Sequence, residues 1–148
     1  MAAELRLSIF SPERRLLDGE RIEEVTVPGS EGQIQILEGH APMIGTLETG
    51  IVSYKTPDGK RHSGVITSGF FEVRPAGGTA GDAITLMCEH IEMRGEIDVE
   101  SAKRAQFEAE KMLKEANLDE HAFRKYQLQL ERSMIEQQLT SREHETEH

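Results

Sequence analysis

Disulfides, membrane spans and a surplus of positive charge are all missing from this chain. Its single cysteine, Cys88, can form no internal disulfide. It lies in the apolar run Ile84-Thr85-Leu86-Met87-Cys88, which reads as a buried strand position, and a reducing cytoplasm fits. No apolar run approaches the ~18 residues of a spanning helix. The opening Met1-Ala2-Ala3-Glu4-Leu5-Arg6 holds no signal-peptide stretch, so the expectation is a soluble protein that stays where it is made. Lys and Arg number 17 against 27 Asp and Glu, and the net charge of -10 repels phosphate backbones and anionic lipid surfaces. Nucleic acid and direct lipid insertion are therefore set aside.

The residues that are present suit a globular protein: 148 of them, 36% hydrophobic and 30% charged, are enough for a self-sufficient core. Near Gly95 the hydrophobic period changes from two to about 3.6, which marks a domain boundary. Upstream, Leu5, Leu7 and Ile9 alternate with polar neighbours as a half-buried strand does. Further strands are expected at Arg21 to Val27, Gln33 to Leu37, Met43 to Leu47, Gly50 to Lys55, Arg61 to Thr67, Phe70 to Arg74 and Asp82 to Cys88. Leu17-Asp18-Gly19-Glu20, Pro57-Asp58-Gly59-Lys60 and Pro75-Ala76-Gly77-Gly78 read as the turns between them. Short, evenly spaced strands without interleaved helices predict an antiparallel sandwich or barrel.

Downstream, Asp98 is placed to cap a helix whose stripe is Ala102, Ala105, Ala109, Met112 and Ala116. Asn117-Leu118-Asp119 breaks the pattern, and Phe123, Tyr126, Leu130 and Met134 form a second, bulkier stripe. The pair is expected to be an antiparallel hairpin in which the large residues fill space left by the alanines. Such a pair is marginal alone and is a candidate moving part. The domains are thus 1–95, a β-sandwich; 96–139, the helical hairpin; and 140–148, a polar, disordered tail rich in glutamate.

Catalytic patterns are weak. His144-Glu145-Thr146-Glu147-His148 matches a zinc-hydrolase motif but has no apolar face and no third ligand after it, so the reading is a solvated tail and no metal site. Gly59-Lys60-Arg61 lacks the Ser or Thr of a phosphate loop, and Gly77, Gly78 and Gly81 open no helix. The chain is expected to bind other proteins without an active site of its own. A free-standing adaptor or chaperone-like module and a zinc hydrolase stand as the alternatives.

The most informative segment is Gly29-Ser30-Glu31-Gly32-Gln33-Ile34-Gln35-Ile36-Leu37-Glu38-Gly39-His40-Ala41-Pro42-Met43-Ile44, a turn, a strand, a Gly-His turn and a strand entry. A lone turn histidine such as His40 more often hydrogen-bonds local backbone than acts as ligand or base. Here the sequence resembles the epsilon subunit of bacterial rotary ATP synthases, called delta in mitochondria. The family signature looks like G-S-E-G-x-x-x-I-x-x-G-H-A-P-L-I/L-x-x-L-x-x-G and spans Gly29 to Gly50 here, with Met43 where leucine is usual. Ser68-Gly69-Phe70-Phe71-Glu72-Val73 and Ile97-Asp98-Val99 extend the likeness along the chain.

The resemblance implies a ten-stranded antiparallel sandwich with a C-terminal hairpin, set on the rotor between the gamma subunit and the c-ring. It implies a role in coupling proton flow to ATP synthesis, peripheral placement on the cytoplasmic face of the bacterial inner membrane, and no cofactor. It would put Ser30, Glu31 and Gln33 at the turn facing the c-ring, and His40, Ala41, Pro42, Met43 and Ile44 near the rotor interface. The hairpin would meet the alpha/beta catalytic hexamer when extended and restrain ATP hydrolysis, although the acidic balance after Asp119 favours repulsion from an acidic surface. Some relatives bind ATP through an I-D-x-x-R-A motif and two arginines one turn apart. Ile97, Asp98, Ala102 and Arg132 match, but Ser101 and Glu136 replace two cations, which predicts weak or no ATP binding.

Overall fold

A computed structural model describes residues 4–75, 81–115 and 117–146, with side chains as far as Ser141. The chain divides into two compact units, Met1–Ile91 and Glu92–His148, the break falling a few residues before Gly95.

The first unit is built of strands β1 (Leu5–Phe10), β2 (Arg15–Ile22), β3 (Glu24–Gly29), β4 (Gly32–Leu37), β5 (Met43–Leu47), β6 (Gly50–Lys55), β7 (Arg61–Ile66), β8 (Gly69–Pro75) and β9 (Asp82–Cys88). A short β10 (Ile91–Met93) brings the sheet to ten strands. Their order is β10-β7-β6-β3-β5-β8-β9-β1-β2, with β4 also on β3. The sheet folds over one inner face, and the residues alternating onto that face make the core. Leu7, Ile9, Val25, Val27, Ile36, Val52, Ile66, Ile84 and Leu86 are fully buried there. Cys88 is buried with them, its thiol pushed up to about 11 chiefly by burial, which makes it packing and not a nucleophile.

The sandwich departs from a wholly antiparallel one at β1 and β9, which run parallel from Leu5↔Asp82 to Phe10↔Met87. These strands lie near opposite ends of the unit, and the many residues between them supply the long crossover that parallel neighbours require.

Asp58-Gly59 makes the expected turn between β6 and β7, with Gly59 at φ 86° and its N–H donating to the Thr56 carbonyl at 2.9 Å. Asp18-Gly19 does not make a turn. It lies inside β2, a strand absent from the sequence reading, where the register jumps from Leu7↔Glu20 to Ile9↔Leu17. Two residues of β2 thus oppose Ser8, a β-bulge with Gly19 at φ 73°. The Ser8 hydroxyl accepts the freed Gly19 N–H at 2.9 Å, and the chain reverses instead at Ser11 to Arg14. Of the third expected turn, Pro75 ends β8 and residues 76–78 lie outside the described residues.

The second unit holds a 3₁₀ turn (Arg94–Glu96) and two helices, α1 (Val99–Leu113) and α2 (Glu120–Thr146). Asp98 caps α1 as expected, its carboxylate accepting from Glu100 N at 3.2 Å and from the Ser101 hydroxyl at 2.7 Å. The backbone of α2 stays helical through Thr146, so the segment read as a disordered tail is helix over 140–146. The Thr140 hydroxyl bonds back to the Glu136 carbonyl at 3.1 Å, which satisfies it within the helix. His148 of the zinc-like motif falls outside the described residues.

Candidate functional site

The residues singled out in the Gly29 to Gly50 signature form two separate surfaces. Ser30 and Glu31 are the tight turn between β3 and β4, closed by the pair Gly29↔Gly32, and both are exposed, as is Gln33 on the first residues of β4. Gly32 takes φ 121°, a conformation that turn geometry demands and side chains resist. His40, Ala41 and Pro42 lie at the other end of β4. Six strand residues at ~3.3 Å each put the two groups roughly 20 Å apart.

The β4–β5 loop is held in shape by one buried carboxylate. Asp82, at the start of β9, accepts the Gly39 N–H at 2.8 Å, which satisfies an acid otherwise costly to bury. His40 Nδ1 lies 2.8 Å from the Ala41 carbonyl, and the His40 N–H donates to Leu37 O, so the histidine is spent on local backbone as expected of a turn residue.

From this loop β5 leads to an apolar ribbon on the outer face. Thr46 pairs with Phe70, Phe70 with Met87, and Met87 with Phe10, while Ile44 sits diagonally from Phe70. Ile44 is 76% exposed, Phe70 58% and Met87 47%. Adjacent large apolar side chains left in water across three strands mark a surface built to be covered. Phe70 and Met87 were missed as site residues, though a signal existed: Phe71 and Val73 alternate inward, which forces Phe70 outward.

In the helical unit, the interface differs from the expected stripe. Ala102 and Ala109 of α1 are buried, but Phe123 and Met134 of α2 are 47% and 51% exposed. Tyr126 and Leu130 of the expected stripe are half-buried and Leu139 is buried, and polar side chains share the covered side of α2 with them. Gln129 Nε2 donates to the Ala105 carbonyl at 2.9 Å, Gln137 Nε2 to Gln106 Oε1 at 2.6 Å, and Ser133 and Glu136 are buried. Small alanines allow a close approach of backbones, and at that distance Gln129 and Gln137 reach partners on α1. Ala116 lies outside the described residues.

Of the residues matching the nucleotide pattern, Ile97 follows the 3₁₀ turn, Asp98 is committed to its cap, and Ala102 is buried. Arg132 Nε donates to Glu136 Oε1 at 3.0 Å, so the remaining cation is already engaged by the side chain that stands in place of its partner. A groove of about 380 Å³ between the helices is lined by Val99, Lys103, Gln137, Thr140 and Ser141, a different set. Among the described residues no group of acidic, histidine or cysteine side chains is disposed to hold a metal ion.

The architecture is a strand domain followed by two helices, with Ser30, Glu31, Ile44 and Phe70 turned outward. Likeness to known proteins places it in a family. Residues 4–94 match the family described as "ATP synthase, Delta/Epsilon chain, beta-sandwich domain". The "ATP synthase epsilon chain" of Geotalea uraniireducens is 35% identical over 142 residues, 96% of this chain and 97% of that one. That of Trichlorobacter lovleyi is 36% identical over the same length and shares. In a solved structure of the Euglena gracilis mitochondrial ATP synthase, covering OSCP, F1 and the c-ring, one chain superposes with TM-score 0.73 at 24% identity, over 91% of this chain and 80% of that one. The chain belongs to the delta/epsilon chain family of ATP synthase, whose members are non-catalytic subunits of that assembly. No helix among the described residues is long and apolar enough to cross a membrane.

Proposed function

We propose that the chain is a central-stalk rotor subunit that couples proton flow through the c-ring to ATP synthesis in the catalytic hexamer. The observation that carries this reading is the pair of separate surfaces on one close-packed block: an apolar ribbon around Ile44, Phe70 and Met87, and a polar tip at Ser30, Glu31 and Gln33. A torque-bearing joint needs two mating faces on a body that does not deform between them, and a native-density core provides that stiffness. The ribbon suits the gamma subunit, because desolvated apolar anchors dominate stable interfaces. The polar tip suits the hydrophilic loops of the c-ring. The subunit would sit peripherally on the cytoplasmic face of the bacterial inner membrane, without inserting into lipid. The second unit would contact the alpha/beta hexamer when its helices extend, and it would bind ATP weakly or not at all, since Arg132 is engaged by Glu136.

The test is reconstitution of the synthase with two variants. Ile44→Ser combined with Phe70→Ser should leave the fold intact, since both side chains are solvent-facing, yet lower copurification with the gamma-containing complex by at least about tenfold, as loss of interface anchors does. Glu31→Lys should assemble normally and keep soluble ATPase activity, but weaken proton-driven ATP synthesis. Unchanged assembly of the double variant together with unchanged synthesis by the lysine variant would sink the rotor reading.

A further inference from the structure

One edge of the strand unit is left open. In the β3–β4 hairpin the Pro28 carbonyl faces away from β4, since it accepts the Glu48 N–H at 2.8 Å, and a proline has no N–H to give either neighbour. Backbone groups alternate sides along a strand, so Val25, Val27 and Gly29 are the residues that bond their partners Ile36, Ile34 and Gly32 across the hairpin. On β4 the N–H and C=O groups of Gln33 and Gln35, with the N–H of Leu37, therefore point outward, and among the described residues β4 pairs with no strand but β3. The side chains of Gln33, Gln35 and Leu37 are exposed around them. The two ends of the sheet order are guarded. Strand β2 carries a bulge and the charges of Arg15, Asp18, Glu20 and Arg21, and β10 is only three residues long. Strand β4 has none of these devices: its register on β3 is unbroken from Gly32 to Leu37, and that stretch holds no charge and no proline.

We propose that this edge takes an extended strand of another polypeptide, which adds antiparallel to β4 through main-chain hydrogen bonds. It is a third binding surface beside the tip and the ribbon, and it does not depend on the rotor reading. What borders the edge defines the chemistry of the guest. Residues opposite Ile34 and Ile36 point to the core side, where Ile34 is only half-buried, and are apolar; those opposite Gln33 and Gln35 face water. Glu31 and Glu38 stand at the two ends of β4, exposed and with no ion-pair partner among the described residues. Basic residues at both ends of the guest complement them. A second copy of this chain is a poor guest for the same reason, because β4 paired antiparallel with itself brings the Glu31 end of each strand to the Glu38 end of the other.

Amide hydrogen exchange read by NMR on the full chain, titrated with the end-capped peptide Lys-Thr-Val-Thr-Val-Thr-Lys, tests the site. In the free chain the amides of Ile34 and Ile36 should exchange at least about tenfold more slowly than those of Gln33 and Gln35. Saturating peptide should raise protection of Gln33 and Gln35 by at least about tenfold and leave Ile34 and Ile36 where they were. The same peptide with glutamates for lysines should bind more weakly, and one N-methylated at its threonines, whose backbone faces the edge, should not bind. Gln35→Pro removes an outward N–H that the hairpin does not use, so the strand unit should keep its fold and lose the peptide. The methylated peptide asks the same question with the protein unchanged. No added protection at Gln33 and Gln35 with the lysine peptide at millimolar concentration, or equal binding of the methylated one, would overturn the strand-addition site. Self-association of the chain that Gln35→Pro abolishes would overturn the choice of guest, since the added strand would then be a second copy.

Discussion

A methyl group at Gly69 would have nowhere to go. It would run into the carbonyl oxygen of Met87 and come within 2.8 Å of the Cα of Cys88, both backbone atoms of the neighbouring strand β9. Backbone cannot yield as the end of a flexible side chain can, so Gly69→Ala should lower unfolding stability by about 2 kcal/mol or more. Gly95, with nothing within 4 Å of the corresponding position, provides the control, and Gly95→Ala should leave the urea midpoint nearly unchanged. Equal midpoints for both variants would contradict the close strand approach seen here. Gly69 was visible in the sequence only as part of the Ser68-Gly69-Phe70 string. What makes glycine necessary is a strand that starts at Asp82, and no local pattern announces that contact. His40 was legible by contrast, because its partner, the Ala41 carbonyl, is its immediate neighbour.

Elements followed the same division. Strand β1 could be read from its alternation because Leu5, Leu7 and Ile9 face a core that every partner strand shares. Strand β2 could not, since Asp18-Gly19 suits a hairpin turn or a bulge equally well. The choice was made by Ser8 on the facing strand, whose hydroxyl accepts the Gly19 N–H. Helix α2 carried a bulky stripe of Phe123, Tyr126, Leu130 and Met134, of which Tyr126 and Leu130 are half-buried while Phe123 and Met134 stay exposed and Ser133 and Glu136 are buried instead. That rearrangement has a consequence for ligand binding. With Ser101 bonded to Asp98 and Arg132 paired to Glu136, no cation on the nucleotide pattern is left for a triphosphate. Calorimetry of the purified chain with ATP and magnesium should show no heat of binding at micromolar concentrations. A micromolar dissociation constant would mean that the helices rearrange to expose Arg132.

The two units of the whole molecule differ in how much core each owns. Buried apolar side chains are plentiful from Leu5 to Ile91, while the helical unit has only Ala102, Ala109 and Leu139 among its described residues. A fragment of residues 1–95 should therefore fold by itself, with the dispersed amide spectrum and cooperative urea transition of a small domain. A collapsed, poorly dispersed fragment would show that the helices are needed to complete the first unit. The sequence alone determined the two-part organisation, most strands, the Asp98 cap and the family, because each rests on local periodicity or on a contiguous motif. The tertiary structure decided the parallel β1–β9 pairing, the bulge in β2, the ribbon that joins Ile44 to Phe70 and Met87, and the bond from Gly39 to the buried Asp82. Those features depend on residues distant in the chain arriving at one place, and their chemistry exists only once the backbone has brought them into contact.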